Sequence, residues 1–206
     1  MEKETARIEA FSDGVFAIAI TLLILEIKVP PAGTADLATQ LIKQWPSYVS
    51  FVISFAFIGI MWINHHRLFT QIRRSDNTLM LLNLLLLLGV CVVPYPTAVL
   101  AQHLSGPDQR PAAVLYHGTY FAIAIFFNLL WGYARKRGMV EKTSESALRI
   151  SVQYGVGPFS YLVCLLLVWI SIPASLLLNV VLAVFYALPP QHATTVVKGK
   201  AKAFES

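Results

Sequence analysis

The sequence predicts an all-α, polytopic membrane protein with six transmembrane helices, and three observations carry that prediction. The first is composition: 56% of the 206 residues are hydrophobic and only 13% are charged, with a mean hydropathy of +0.63, whereas an average soluble domain is about 25% charged. The second is a set of six apolar stretches at 8–29, 46–69, 78–101, 112–134, 151–170 and 173–188, measured against roughly 20 residues for one bilayer crossing. The third is their punctuation. Pro30-Pro31, Trp45-Pro46, Gly106-Pro107 with Pro111, and Ile172-Pro173 fall where helices end or begin, and Arg73-Arg74 and the basic run at 135–142 mark the remaining breaks. No linker or repeat divides the chain. One membrane domain over 1–190 is expected, followed by a short basic cytoplasmic tail over 191–206.

The first stretch is the weakest by hydropathy, because its uninterrupted apolar run, Gly14 to Leu25, is 12 residues long, a length that also suits a signal-peptide core. Its flanks argue for a retained span. Glu2, Glu4, Glu9 and Asp13 are wrong for a positively charged leader, and Glu26-Ile-Lys28-Val-Pro-Pro offers no small-residue cleavage site. Counted from Ile8 to Val29 the helix has 22 residues, enough to cross with polar ends at about 1.5 Å per residue. Asp13 sits at its start. An ionisable group near hydrocarbon is costly and marks a pathway or a partner, so Asp13 is a candidate functional residue; the plainer alternative is a carboxylate facing lipid headgroups.

At about 100° per residue, Phe11, Gly14, Leu22 and Leu25 fall within roughly 40° of Ile18, while Asp13 falls roughly 140° away. The apolar stripe and the carboxylate therefore occupy opposite faces, with Asp13 directed at whatever packs behind the helix. A stripe of this kind suits ordinary helix packing as well as pore lining.

The second stretch ends in Trp62-Ile-Asn-His65-His66-Arg67-Leu-Phe69. If consecutive spans alternate direction, this polar cluster lies level with Asp13. We expect Asp13, with Ser12 and Arg7, to bond to His65, His66 or Arg67, since a paired carboxylate is tolerated where a lone one is not. Snorkelling of the histidines and Arg67 to headgroups is the alternative. Spans three to six carry no diagnostic motif, Cys91 and Cys164 stand singly and read as packing residues, and the last span is short.

With both termini on one side, that side collects thirteen of the sixteen Lys and Arg residues, among them Arg67, Arg73, Arg74, Arg135, Lys136 and Arg137; Lys28, Lys43 and Arg110 remain on the other. The excess places both termini in the cytoplasm and the chain as a multi-pass protein in the cell (plasma) membrane. It also accounts for the pI of about 9.3 through insertion and contact with anionic lipid, without nucleic acid as a partner. The paired histidines invite a metal, but His103 and His117 fall on the outer side and His192 in the tail, so no second histidine box completes a site. No nucleophile triad, phosphate loop or dinucleotide glycine pattern occurs either. No catalytic residue, metal or cofactor is expected.

The residues Arg7-Ile-Glu-Ala-Phe-Ser-Asp-Gly-Val-Phe-Ala-Ile-Ala-Ile-Thr-Leu, together with Trp62-Ile-Asn-His-His-Arg-Leu-Phe69, resemble the single-repeat prokaryotic branch of the transmembrane protein 175 family of potassium channels. Animal members carry two such repeats in one chain. The resemblance implies a homotetramer in the lipid bilayer in which the first helix of each copy lines a central pore. It implies an apolar constriction, a hydrophobic gate, at Ile18, with Leu22 and Leu25 as further rings and Thr21 offering a hydroxyl beside it. The permeant species would be K⁺ among monovalent cations. Selectivity over Na⁺ would be modest, because aliphatic side chains cannot replace a hydration shell and gate by dewetting. Glu26 near the outer mouth would enrich cations, partly offset by Lys28. The second reading is a proton-coupled secondary transporter using Asp13 with His65 and His66, against which stands the lack of an inverted repeat.

Overall fold

The computed structural model describes residues 5–32, 36–104, 106–140 and 145–188, and for 145 and 146 the backbone alone. The tail expected over 191–206 lies outside the described residues. Among the described residues all regular structure longer than a single bridge is helical, as the apolar runs require: in hydrocarbon each backbone N–H and C=O must find its partner within the segment. In chain order the helices are α1 (Ala6–Leu22), α2 (Leu37–Lys43), α3 (Trp45–Gln71), α4 (Asn77–Val92), α5 (Pro94–His103), α6 (Gln109–Lys136), α7 (Glu145–Gly155), α8 (Gly157–Leu167) and α9 (Ile172–Ala187).

Five helical units are long and apolar enough to span: Ala6–Glu26, Trp45–Gln71, Asn77–His103, Gln109–Lys136 and Ala147–Leu167. The sixth expected span, α9, has 16 residues, about 24 Å of helix against a hydrocarbon core of about 30 Å.

Several boundaries differ from expectation for local reasons. The α-helix of the first span stops at Leu22, and Leu23–Glu26 continue as a 3-10 turn before Ile27 turns extended (φ −82°, ψ 104°). The third span is two helices meeting at Val93, because Pro94 has no N–H to give the preceding turn and Val93 bonds Val90 O in a tighter i→i−3 step at 3.2 Å. The fifth begins at 145 rather than 151 and breaks before Gly157-Pro158. Pro111 is accommodated in the first turn of α6. The loop after the first span holds the unexpected α2, capped by Asp36, whose carboxylate accepts from Thr39 N at 3.2 Å.

Helix α6 is the hub, packing on α4, α5, α7, α8 and α9. Its core is aromatic: Phe57 and Tyr116 lie 5.0 and 4.8 Å from the Tyr120 ring, and Tyr161 stacks between Tyr120 and Tyr186 at 6.1 Å from each. By contrast, α1 packs chiefly on α3, α4 and its own 3-10 turn. It is a peripheral helix packed along one side.

One end of the bundle is closed by polar contacts. Asp76 caps α4 by accepting from Leu79 N at 2.8 Å, and the Tyr133 hydroxyl donates to it at 2.8 Å. These hydrogen bonds, with Arg137 at 3.9 Å, hold its carboxyl below the usual carboxylate range. Beside it Ile72 and Val140 form an antiparallel bridge, with Arg73 N donating to Met139 O at 2.9 Å.

Candidate functional site

Helix α1 has a buried line and a bare line. Ser12, Phe16, Ala19 and Leu23 are buried against the bundle. Phe11, Ile18, Leu22 and Leu25 are 57, 60, 44 and 63% exposed, and Gly14 and Thr21 are exposed with them. The stripe computed from helix geometry is thus the face that this chain leaves uncovered, although Leu25 lies in the 3-10 turn rather than in α-helical register.

A buried relay sets that rotation. Ser12 Oγ donates to Ile8 O at 2.8 Å, which leaves it an acceptor for Asn83 Nδ2 at 3.0 Å. Asn83 Oδ1 in turn accepts from His65 Nε2 at 2.9 Å, which fixes the Nε2–H tautomer. Ser12, Asn83 and His65 are 0, 2 and 1% exposed, so α1, α4 and α3 are joined where water cannot compete. His65 also stacks on Phe69 at 4.5 Å and meets Phe16 at 5.4 Å.

The expected pairing of Asp13 is corrected. Its Oδ1 accepts from Trp62 Nε1 at 2.8 Å, not from His65, His66 or Arg67, and Asp13 is exposed rather than buried. The Asn64–Arg67 cluster divides because successive helical residues point about 100° apart. His65 faces α4 and α1, while exposed His66 stacks on Trp62 at 6.4 Å. Asn64 and Arg67 turn to α9: Asn64 Nδ2 donates to Tyr186 O at 3.2 Å and Arg67 reaches Ala187 O at 3.0 Å, with further bonds to Tyr186 O and Leu188 O at 3.3 Å. Arg67 therefore caps the end of α9. The Tyr154 hydroxyl donates to Asn64 O at 3.0 Å.

Thr21 gives its hydroxyl hydrogen to Ile18 O at 2.9 Å, so only its lone pairs face outward. Lys28 Nζ bonds Leu25 O at 3.1 Å, and Glu26 is half-buried beside α3 and α5. Exposed Arg7 and Phe11 border a recess of about 470 Å³ against Met80, Asn83 and Leu84 of α4. Cys91 and Cys164 are free thiols, and no three His, Cys, Asp or Glu side chains cluster as metal ligands among the described residues.

Sequence reasoning missed Asn83 and the role of Trp62. Asn83 had a visible signal, a lone amide inside Leu81-Leu-Asn-Leu-Leu-Leu-Leu-Leu88. Trp62 was read only as part of the motif.

An all-α membrane protein with a first helix anchored from behind and bare in front is the class that fold and site define. Comparison with known proteins then gives the family. The family described as "Endosomal/lysosomal potassium channel TMEM175" matches residues 7–94. A potassium channel of Chamaesiphon minutus is 48% identical, covering 91% of this chain and 95% of that one. A potassium channel of Streptomyces collinus is 44% identical over 89% and 91%. The endosomal/lysosomal proton channel TMEM175 of Mus musculus is 32% identical over 72% of this chain and 31% of its own length. The crystal structure of the Chamaesiphon minutus homolog, described as a lysosomal potassium-selective channel TMEM175 homolog, superposes with a TM-score of 0.83 over 91% of this chain and 98% of that one. The chain belongs to the TMEM175 family.

Proposed function

We propose that this chain is a potassium-permeable cation channel of the plasma membrane, built as a homotetramer whose first helices meet on their bare faces. Ile18 forms the apolar constriction, with Leu22 and Leu25 as outer rings and Thr21 beside it. The observation that carries this reading is the uncovered stripe on a helix held by its buried side. Four large apolar residues face away from the subunit, and a hydrogen-bonded relay keeps them there. Gly14 lies exposed on the same face, and a Cβ built on it meets nothing within 4 Å inside the subunit; glycine there would allow a second helix to approach closely. The names of the bacterial relatives supply the ion.

In this arrangement six spans per subunit, including the short α9, return both termini and the basic 191–206 tail to the cytoplasm. Rings of aliphatic side chains stabilise a dry segment when narrow and admit a hydrated or partly dehydrated cation when wide. Preference for K⁺ then follows from its lower dehydration cost and is modest. No cofactor is needed, since permeation breaks no bond.

The test is K⁺ and Na⁺ flux in proteoliposomes with Ile18→Asn. The amide hydrates the constriction, so K⁺ flux rises or its preference over Na⁺ falls; unchanged flux and selectivity in a folded tetramer would remove Ile18 from the pore.

The animal relatives are named proton channels, which keeps the proton-coupled transporter as the second reading. Two of its three relay residues are committed to fixed bonds, Asp13 to Trp62 and His65 to Asn83, while His66 is exposed and stacks on Trp62. The channel reading therefore expects Asp13→Asn to leave K⁺ flux independent of an imposed proton gradient. Flux that is gradient-driven in the native protein and uncoupled in this variant supports the transporter.

A further inference from the structure

We propose that Arg7 forms a ring of positive charge around the cytoplasmic mouth of the pore, and that this ring makes the K⁺ current rectify, so that more passes inward than outward. The inference rests on the tetrameric channel reading above and adds to it a conductance-determining residue.

The helix itself gives the position. Arg7 and Ile18 both lie within α1 (Ala6–Leu22), eleven residues apart, which at about 100° per residue is three turns and roughly 20°. Arg7 therefore stands on the same exposed stripe as Phe11, Ile18 and Leu22, about 16 Å along the helix from Ile18 at roughly 1.5 Å per residue. An axis surrounded by Ile18 side chains is surrounded by Arg7 side chains three turns nearer the N-terminus.

Nothing within the subunit neutralises that charge. Arg7 takes part in no hydrogen bond or ion pair among the described residues. The two carboxylates of this part of α1 lie on its rear, roughly 180° and 140° from Ile18, where Glu9 accepts from Thr5 Oγ1 at 2.6 Å and Asp13 from Trp62 Nε1 at 2.8 Å. The recess of about 470 Å³ beside Arg7 is walled by α1 and α4 without a carboxylate, so no anionic partner there draws the guanidinium away from the axis. The outer end differs. There the charges of Glu26 and Lys28 stand two residues apart and oppose each other, with Lys28 Nζ held on Leu25 O at 3.1 Å. One mouth carries an uncompensated charge and the other does not.

A guanidinium stays protonated throughout the physiological range, and a fixed cationic ring repels cations from the mouth it surrounds. Four charges roughly 10 Å from the axis, about one helix diameter, with a Debye length of about 10 Å at 0.1 M salt, lower K⁺ at that mouth roughly threefold. K⁺ leaving the cell meets this depletion before it reaches Ile18, whereas K⁺ entering meets it only after the constriction. Outward current is therefore cut more than inward current.

The experiment is single-channel recording in inside-out patches of giant spheroplasts expressing the full chain, which fixes its orientation, in symmetric KCl. At about 0.1 M the inward conductance is expected to exceed the outward roughly two- to threefold, and at about 1 M, where the Debye length is about 3 Å, the two should converge. Arg7→Gln should bring them together at both concentrations by raising the outward branch, Arg7→Lys should retain the asymmetry, and Arg7→Glu should reverse it. A residue with a purely structural role would not make the sign of rectification follow the sign of its charge. A linear native current at about 0.1 M, or rectification that persists at about 1 M, overturns the proposal whether or not the variants assemble. Rectification unchanged in an assembled Arg7→Gln or Arg7→Glu channel overturns it too. A native protein that passes no K⁺ current in either direction removes the channel reading itself and the ring with it, an outcome distinct from a current that flows but does not rectify.

Discussion

Asn83 carries more of this structure than any charged residue does. Its amide spends one hydrogen on Ser12 and its oxygen on His65, and each of the three side chains is buried. Asn83→Leu leaves the His65 N–H without an acceptor and Ser12→Ala leaves the Asn83 amide without one, each a penalty of about 1–3 kcal/mol. The melting temperature in detergent is expected to fall for each single variant and, for the double variant, by less than the sum of the two; additive falls would mean that the two bonds do not act as one relay. At this scale the sequence was only partly readable. The motif marks Ser12 and His65 as network members, but the amide that links them stands 18 residues beyond His65, and no spacing rule selects a partner across that distance. Asp13 shows the same limit: three candidate donors, His65, His66 and Arg67, follow Trp62 within a turn and a half, and only packing of α3 on α1 chose the indole.

At the scale of elements, the five long spans were legible because apolar length is a one-dimensional property. Their internal breaks at Val93 and Val156 came from prolines placed inside otherwise continuous runs, where a missing N–H weakens the ladder without ending the span. The junction of α4 with α6 is a tertiary matter. A Cβ on Gly89 would lie 2.8 Å from Ile123 Cγ1, so glycine is what lets these helices approach. At the closed end, the carboxylate of Asp76 holds the first turn of α4 and the last turn of α6 together. Because its pKa is lowered on folding, its contribution is present above the usual carboxylate value near 4 and is lost as pH falls through the folded value. Asp76→Asn is expected to lower the melting temperature at neutral pH and to flatten its dependence on acid. An unchanged acid limb would show that other carboxylates govern it.

For the whole molecule, the subunit is asymmetric: α6 is wrapped on several sides, while α1 is wrapped on one. An apolar face on an anchored helix meets either acyl chains or copies of itself. Light scattering of the purified protein in detergent, with the detergent contribution subtracted, is expected to give four times the chain mass of 22.8 kDa. A stable monomer with no K⁺ flux would remove the shared pore, and with it the role given to Ile18.

Membrane class, the positions of the five long spans and the apolar stripe of α1 were determined by the sequence itself, because hydropathy, length and the 3.6-residue period are local and survive without knowledge of neighbours. The tertiary structure alone decided which polar group meets which: Asp13 with Trp62, Ser12 with His65 through Asn83, Arg67 with the end of α9. Those choices depend on how helices rotate and slide against one another in three dimensions, and a directional hydrogen bond forms only where that rotation brings a donor within about 3 Å of its acceptor.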